Sequence, residues 1–168
     1  RVRDYGQGFI PNNFREDGKT ILEAAFSVLN TSGKYREDGT YEGTSLGSFG
    51  IGSKITTFLS HWLDVYTYRN WQVERCYFVE GEFNKREIFT AKDFENGTCV
   101  EWEPSEEFFT HPEVNVNEIK VLFKTVAALC PGLTIELDNN GEKTTYYSTN
   151  GLSDLVDEAV TGKELINN

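Results

Sequence analysis

The hydrophobic positions of this chain change period several times, and each change marks an element. Ile21, Leu22, Ala25, Phe26 and Leu29 recur at helical spacing. A polar, glycine-bearing stretch at 30–45 follows and reads as a surface loop, and after a glycine cluster at 47–52 the run 55–59 predicts a short apolar helix. Residues 63–68, 72–79 and 82–88 alternate in character and predict an antiparallel meander, with a further strand at 98–102 before Pro104 and an acidic loop. Asn115-Val-Asn-Glu118 has the shape of a capping box, and Ile119, Leu122, Phe123, Val126 and Leu129 form one helical stripe closed by Pro131 and Gly132. Residues 133–137 and 143–147 flank Asp138-Asn-Asn-Gly141, a hairpin signal, and Leu152, Leu155, Val156 and Ala159 outline a last helix. At the start, residues 1–4 alternate like a strand and run straight into DYGQG at 4–8, so the chain is expected to begin inside a fold. The order predicts an α+β two-layer sandwich, a mostly antiparallel mixed sheet with helices on one face.

Composition narrows what such a domain can do. A length of 168 residues fits a single domain, 1–168, and a hydrophobic share of 38% spread along the chain excludes intrinsic disorder. No apolar run approaches a membrane span and no signal-peptide pattern opens the chain, so a cytoplasmic location without a membrane partner is expected. The formal charge of −11 repels a phosphate backbone and argues against a direct grip on nucleic acid. Cys76, Cys99 and Cys130 are far apart without CxxC spacing and read as buried free thiols, while His61 and His111 lack partners for a metal site or a catalytic triad.

The candidate chemistry sits in two glycine-rich segments. In GSFGIGSK at 47–54, Gly47 and Gly52 have Walker A separation, but Ser53 and Lys54 stand in reversed order. A Rossmann fingerprint would read GxGxxG after a strand, whereas this cluster reads GxxGxG after a polar loop. Two readings stay open from these residues alone: a cradle of backbone amides for a phosphate, or a flexible glycine hinge. In DYGQG, Asp4 is either an acceptor for an exocyclic amine or part of an ordinary Asp-containing turn, with Gly6 and Gly8 letting the backbone approach a ligand.

Taken together, the motifs resemble the nucleotide-binding domain of type II topoisomerase ATPase subunits, the gyrase B and topoisomerase IV B family within the GHKL ATPases. VRDYGQGFIP at 2–11 is similar to the family's VxDxGxGIP with one residue inserted, LNTSGKY at 29–35 to LHAGGKF, and residues 47–52 to GLHGVG. ITTFLS at 55–60 stands where the family has VVNALS, and GTCVEWEP at 97–104 is similar to GTxVxFxP. CPGLTIEL at 130–137 resembles NPGLxIxL, so the likeness covers nearly the whole chain. It implies the GHKL (Bergerat) ATP-binding fold, lacking its N-terminal helix.

The resemblance also implies roles. Asp4 would hold the adenine amino group, directly and through a water shared with Thr98, and Gly6, Gly8 and Pro11 would shape the base site. Tyr41 would bond the purine ring and Lys34 would meet the phosphates as a point charge. The amides of Gly47, Ser48, Phe49, Gly50, Ile51 and Gly52 would wrap the triphosphate of ATP, beneath a lid at 32–46. The general-base Glu and the Asn that holds Mg²⁺ are expected upstream of Asp4, and the γ-phosphate lysine in a following domain, so hydrolysis by this piece alone is not expected and no catalytic or metal-ligating residue is assigned within it. Gln7 and Phe49 replace the arginine and histidine usual in gyrases. The implied function is an ATP-operated clamp that homodimerises on binding ATP and drives DNA strand passage, with DNA and a cleavage subunit engaged through other domains. The alternatives are a nucleotide-binding module of another GHKL protein, of chaperone, mismatch-repair or kinase type, or a degenerate non-catalytic domain.

Overall fold

A computed structural model describes residues 1–29 and 51–161. In chain order these form β1 (Val2–Arg3), α1 (Ile21–Ser27), α2 (Gly52–Phe58), β2 (Ser60–Arg69), β3 (Gln72–Val79), β4 (Glu82–Thr90), β5 (Gly97–Pro104), α3 (Val116–Leu129), β6 (Ile135–Asn139), β7 (Glu142–Tyr146) and α4 (Leu152–Val160). They divide into two compact units, Arg1–Pro112 and Glu113–Asn168. The loop and lid expected within 30–50 lie outside the described residues.

The first unit is built on a five-stranded sheet of order β1-β5-β2-β3-β4 with every pairing antiparallel. The expected meander is β2-β3-β4, and β5 returns to the free side of β2. Its two hairpin turns, Asn70-Trp71 and Glu80-Gly81, have positive φ at both central positions (51°, 67° and 48°, 79°), the backbone twist that a two-residue hairpin requires. Directly paired residues share a face, so Leu63, Phe78 and Trp102 form one cross-strand row, and Val65, Cys76 and Val100 the next. Leu22 and Phe26 of α1, one turn apart, close over these rows, and Leu22, Leu63, Val65, Cys76 and Phe78 are essentially inaccessible. Thr20 caps α1, its Oγ1 accepting from the Glu23 amide at 3.2 Å.

The opposite face of the sheet is polar and aromatic. Arg75 donates to both oxygens of Asp64 (Nε–Oδ1 2.8 Å, Nη2–Oδ2 2.5 Å) and to Glu87 at 2.6 Å. Burial first, then the charge and hydrogen bond of Asp64, push the Tyr66 phenol up to about 12. Cys76 and Cys99 are buried and free, and burial pushes the Cys76 thiol up to about 12, far from a reactive thiolate.

In the second unit Asn115 caps α3, its Oδ1 accepting from the amides of Asn117 (3.1 Å) and Glu118 (3.4 Å). The capping box closes differently from its usual form, because Asn115 Nδ2, not its backbone amide, donates to Glu118 at 2.8 Å. Ala127 and Ala128 are the buried residues of α3, whereas Leu122 and Leu129 of the expected stripe are 52% and 45% exposed. Ile119, Phe123 and Val126 of the same stripe are half-buried, and Phe123 meets Tyr146 edge-on, so the expected stripe packs in part. The β6–β7 turn is Asn140-Gly141 (φ 54° and 93°), with Gly141 donating to Asp138 at 2.8 Å.

Candidate functional site

The register of the sheet assembles one polar row at the end of its helix-covered face. Arg3 pairs with Cys99, so Asp4 falls beside Thr98, and the Asp4 amide donates to the Thr98 carbonyl at 2.9 Å. Thr98 pairs with Thr67, and Thr67 with Glu74. Asp4, Thr98, Thr67 and Glu74 therefore continue the alternation of the core rows across β1, β5, β2 and β3, with polar groups where Leu63 and Val65 are apolar.

Residues 5–12 cross this row and are tied to it at three points. Asp4 Oδ1 accepts the Gly6 amide at 2.8 Å, and its second carboxylate oxygen makes no hydrogen bond or ion pair among the described residues. The Thr67 hydroxyl accepts the Phe9 amide at 2.7 Å and donates back to the Phe9 carbonyl at 3.2 Å. Glu74, wholly buried, accepts the Asn12 amide at 2.7 Å and Arg86 Nε at 3.0 Å, and Arg86 Nη2 donates to Asn12 Oδ1 at 2.6 Å. Two glycines make the crossing possible. A Cβ on Gly8, at φ +66°, would stand 2.6 Å from the Tyr68 carbonyl oxygen and 2.9 Å from that of Gly97. One on Gly97, at φ +138°, would stand 2.1 Å from the Asp4 carbonyl oxygen.

The structure thus brings Asp4, Gly6, Gly8 and Thr98 together at one sheet end, with Asp4 exposed and Pro11 buried beyond the Phe9 anchor. Ile51 and Gly52 open α2 elsewhere on the same unit, Ile51 as an N-cap without a side-chain hydrogen bond, and Ser53 Oγ ties α2 to the Ala25 carbonyl of α1 at 2.7 Å. Lys34, Tyr41, Gly47, Ser48, Phe49 and Gly50 lie outside the described residues. Sequence reasoning missed Thr67, Glu74 and Arg86, although a signal was present. Thr67 falls in step with Leu63 and Val65, and Glu74 with Cys76 and Phe78, so period-two alternation carries polar residues onto core-facing positions. Among the described residues no group of three or more His, Cys, Asp or Glu side chains is placed to hold a metal ion.

No protein-family model matches the chain. The DNA gyrase B protein of Thermotoga maritima is 30% identical over 98% of this chain and 26% of its own length. The DNA topoisomerase 4 B protein of Mycoplasma capricolum is 31% identical over 96% of this chain and 25% of its own. The chain spans about a quarter of the length of the curated relatives it matches. The crystal structure of the 43K ATPase domain of Thermus thermophilus gyrase B, in complex with an aminocoumarin, superposes with a TM-score of 0.77 at 22% identity, covering 99% of this chain and 42% of that one. Over nearly all of its length the chain is a homologue of the gyrase B and topoisomerase IV B proteins and carries the α+β fold of the gyrase B ATPase domain.

Proposed function

We propose that this chain is the ATP-binding domain of a type II DNA topoisomerase and that the polar row is its adenine site. The observation that carries the reading is the free Asp4 oxygen beside Thr98, held at a sheet end by a backbone crossing that only glycine permits at position 8. A carboxylate oxygen is an acceptor without a proton of its own, so it selects a ring that presents an amine, as adenine does, over one that presents a carbonyl. Gly6 and Gly8 leave the flat base room against backbone, and Thr98 supplies a hydroxyl for a bridging water. Residues 47–52 would hold the phosphates through backbone amides, with Lys34 as a point charge, Tyr41 on the purine and 32–46 as the lid. ATP binding then drives homodimerisation and a clamp that powers DNA strand passage, with DNA and the cleavage subunit engaged by other parts of the protein. ATP supplies the binding energy of that closure. The described residues do not by themselves fit a magnesium ion.

Calorimetry with the non-hydrolysable analogues AMPPNP and GMPPNP tests the reading. The wild-type chain is expected to prefer AMPPNP, and Asp4→Asn to lose about tenfold or more, because one oxygen still accepts the Gly6 amide while the other becomes an NH₂ donor facing the adenine amine. Equal affinity for the two nucleotides, or no effect of Asp4→Asn, would remove the adenine assignment.

A further inference from the structure

The segment that carries Asp4 is held at its far end at a cost to the fold. Glu74 is 0% exposed, and its ion pair with Arg86, whose side chain is 23% exposed, is taken largely out of water. Two ions lose hydration there, and an apolar pair of similar volume would hold the sheet at least as well. Asn12, which Glu74 holds through the backbone amide, stands at φ 59°, a left-handed conformation uncommon for a residue with a side chain. Arg86 joins the two, donating to Asn12 Oδ1 and lying over the Phe14 ring, 5.0 Å from its centroid. Both costs fall at one place, the end of the crossing segment.

A second buried side chain holds the middle of the segment. Thr67 is 0% exposed, and its hydroxyl serves the Phe9 backbone as acceptor and donor, the part a neighbouring strand plays elsewhere in the sheet. Its Oγ1 also lies 2.9 Å from where a Gly8 Cβ would stand, so hydroxyl and glycine fit each other. Valine would fill the same volume in line with Leu63 and Val65, but it would leave the Phe9 amide and carbonyl without that partner. From Phe9 the constraint passes along three residues to the Gly6 amide, whose hydrogen bond sets the rotation of the Asp4 carboxylate.

We infer that Thr67 and Glu74 are positioning residues for the base site, acting through the backbone of residues 6–12 on the Asp4 carboxylate and so setting the preference for adenine. The inference rests on the adenine reading and extends it from the group that meets the base to the groups that aim it. β5 lies between β1 and β2, so Asp4 and Thr67 stand two strand spacings apart, about 10 Å. At such a separation substitutions act independently unless something couples them, and the coupling here is the anchored segment.

The test is calorimetry on the 168-residue chain with AMPPNP and GMPPNP, using wild type, Thr67→Val, Thr67→Ser, Glu74→Leu, Asp4→Asn and the double variant Thr67→Val with Asp4→Asn, affinities being taken on the folded fraction. Thr67→Val and Glu74→Leu are expected to lose about 3- to 30-fold of the wild-type preference for AMPPNP over GMPPNP, the range of one or two misplaced hydrogen bonds. Thr67→Ser, which keeps the hydroxyl, should retain that preference. In the Asp4→Asn background Thr67→Val should lower it no further, because the carboxylate through which Thr67 acts is gone. A purely structural role moves the melting temperature and the folded fraction but not the ratio of the two affinities. A wild-type ratio in Thr67→Val or in folded Glu74→Leu therefore overturns the inference, as does a loss in the double variant that simply adds to that of Asp4→Asn; if one of the two single variants does not fold, the other decides. A wild-type chain that binds both nucleotides equally, or neither, overturns the adenine reading itself. A preference that Asp4→Asn abolishes and Thr67→Val spares leaves the adenine reading standing and removes the positioning role alone.

Discussion

Gly8 and Gly97 are single residues whose missing side chains hold the site open. Each stands at positive φ with backbone oxygens where a Cβ would be, so neither substitution can be absorbed by moving a flexible side chain. Gly8→Ala is expected to destabilise the chain by about 2–4 kcal/mol and to weaken AMPPNP binding beyond what the loss of folded protein explains. Thermal melts together with calorimetry on the folded fraction check this, and a variant with unchanged melting temperature and affinity would mean that the segment crosses differently. The motif DYGQG already suggested that Gly8 allows close approach. That the approach is to Tyr68 and Gly97, on β2 and β5, could not be read from it, because strand partners far apart in sequence are joined only by the folded register.

At the scale of elements, most helices and strands were legible because their hydrophobic period is local. The meander, the capped α3 and the Asn140-Gly141 hairpin follow from patterns within a dozen residues. The facing of α2 was not legible. Its sequence reads as a short apolar helix, yet Lys54 and Thr57 turn inward, and Phe58 instead packs over Gly81, whose added Cβ would lie 2.9 Å from the Phe58 ring. A seven-residue helix has too few positions to fix its own rotation, so packing against α1 and β2 decides it. The start of α4 carries a pH prediction. Ser148 Oγ (2.7 Å) and Asn150 Nδ2 (2.9 Å) donate to Asp154, and these bonds hold its carboxyl below the usual range. A lowered folded pKa contributes stability above the ordinary carboxylate value, lost as pH falls through the depressed one. Asp154→Asn should therefore lower the melting temperature at neutral pH, leave acid pH nearly unchanged and so flatten the acid limb of the pH–melting profile; a neutral melting temperature and acid limb identical to wild type would assign that loss to other carboxylates.

For the whole molecule the governing quantity is charge. At −11 the chain is expected to leave a DNA duplex unretarded in a gel at roughly 10 µM and physiological salt, where basic non-specific binders already associate. Retardation there, reversed by salt, would place a DNA contact within these residues and not in other parts of the protein. The polar row belongs to this scale as well. Thr67, Glu74 and Thr98 come from three strands and Asp4 from the end of a fourth, and Arg86, on β4 of the same sheet, completes the Glu74–Asn12 tie.

Short segments of the chain were enough to establish the element order, the α+β class, the glycine positions and the family likeness, because periodicity, turn chemistry and motif spacing are local properties. Which polar residues stand side by side, and that Lys54 is buried with no ion pair among the described residues, emerged only from the folded chain. Those facts depend on cross-strand register and on the rotation of a short helix, both set by burial of apolar area contributed by the whole unit and invisible to any local window.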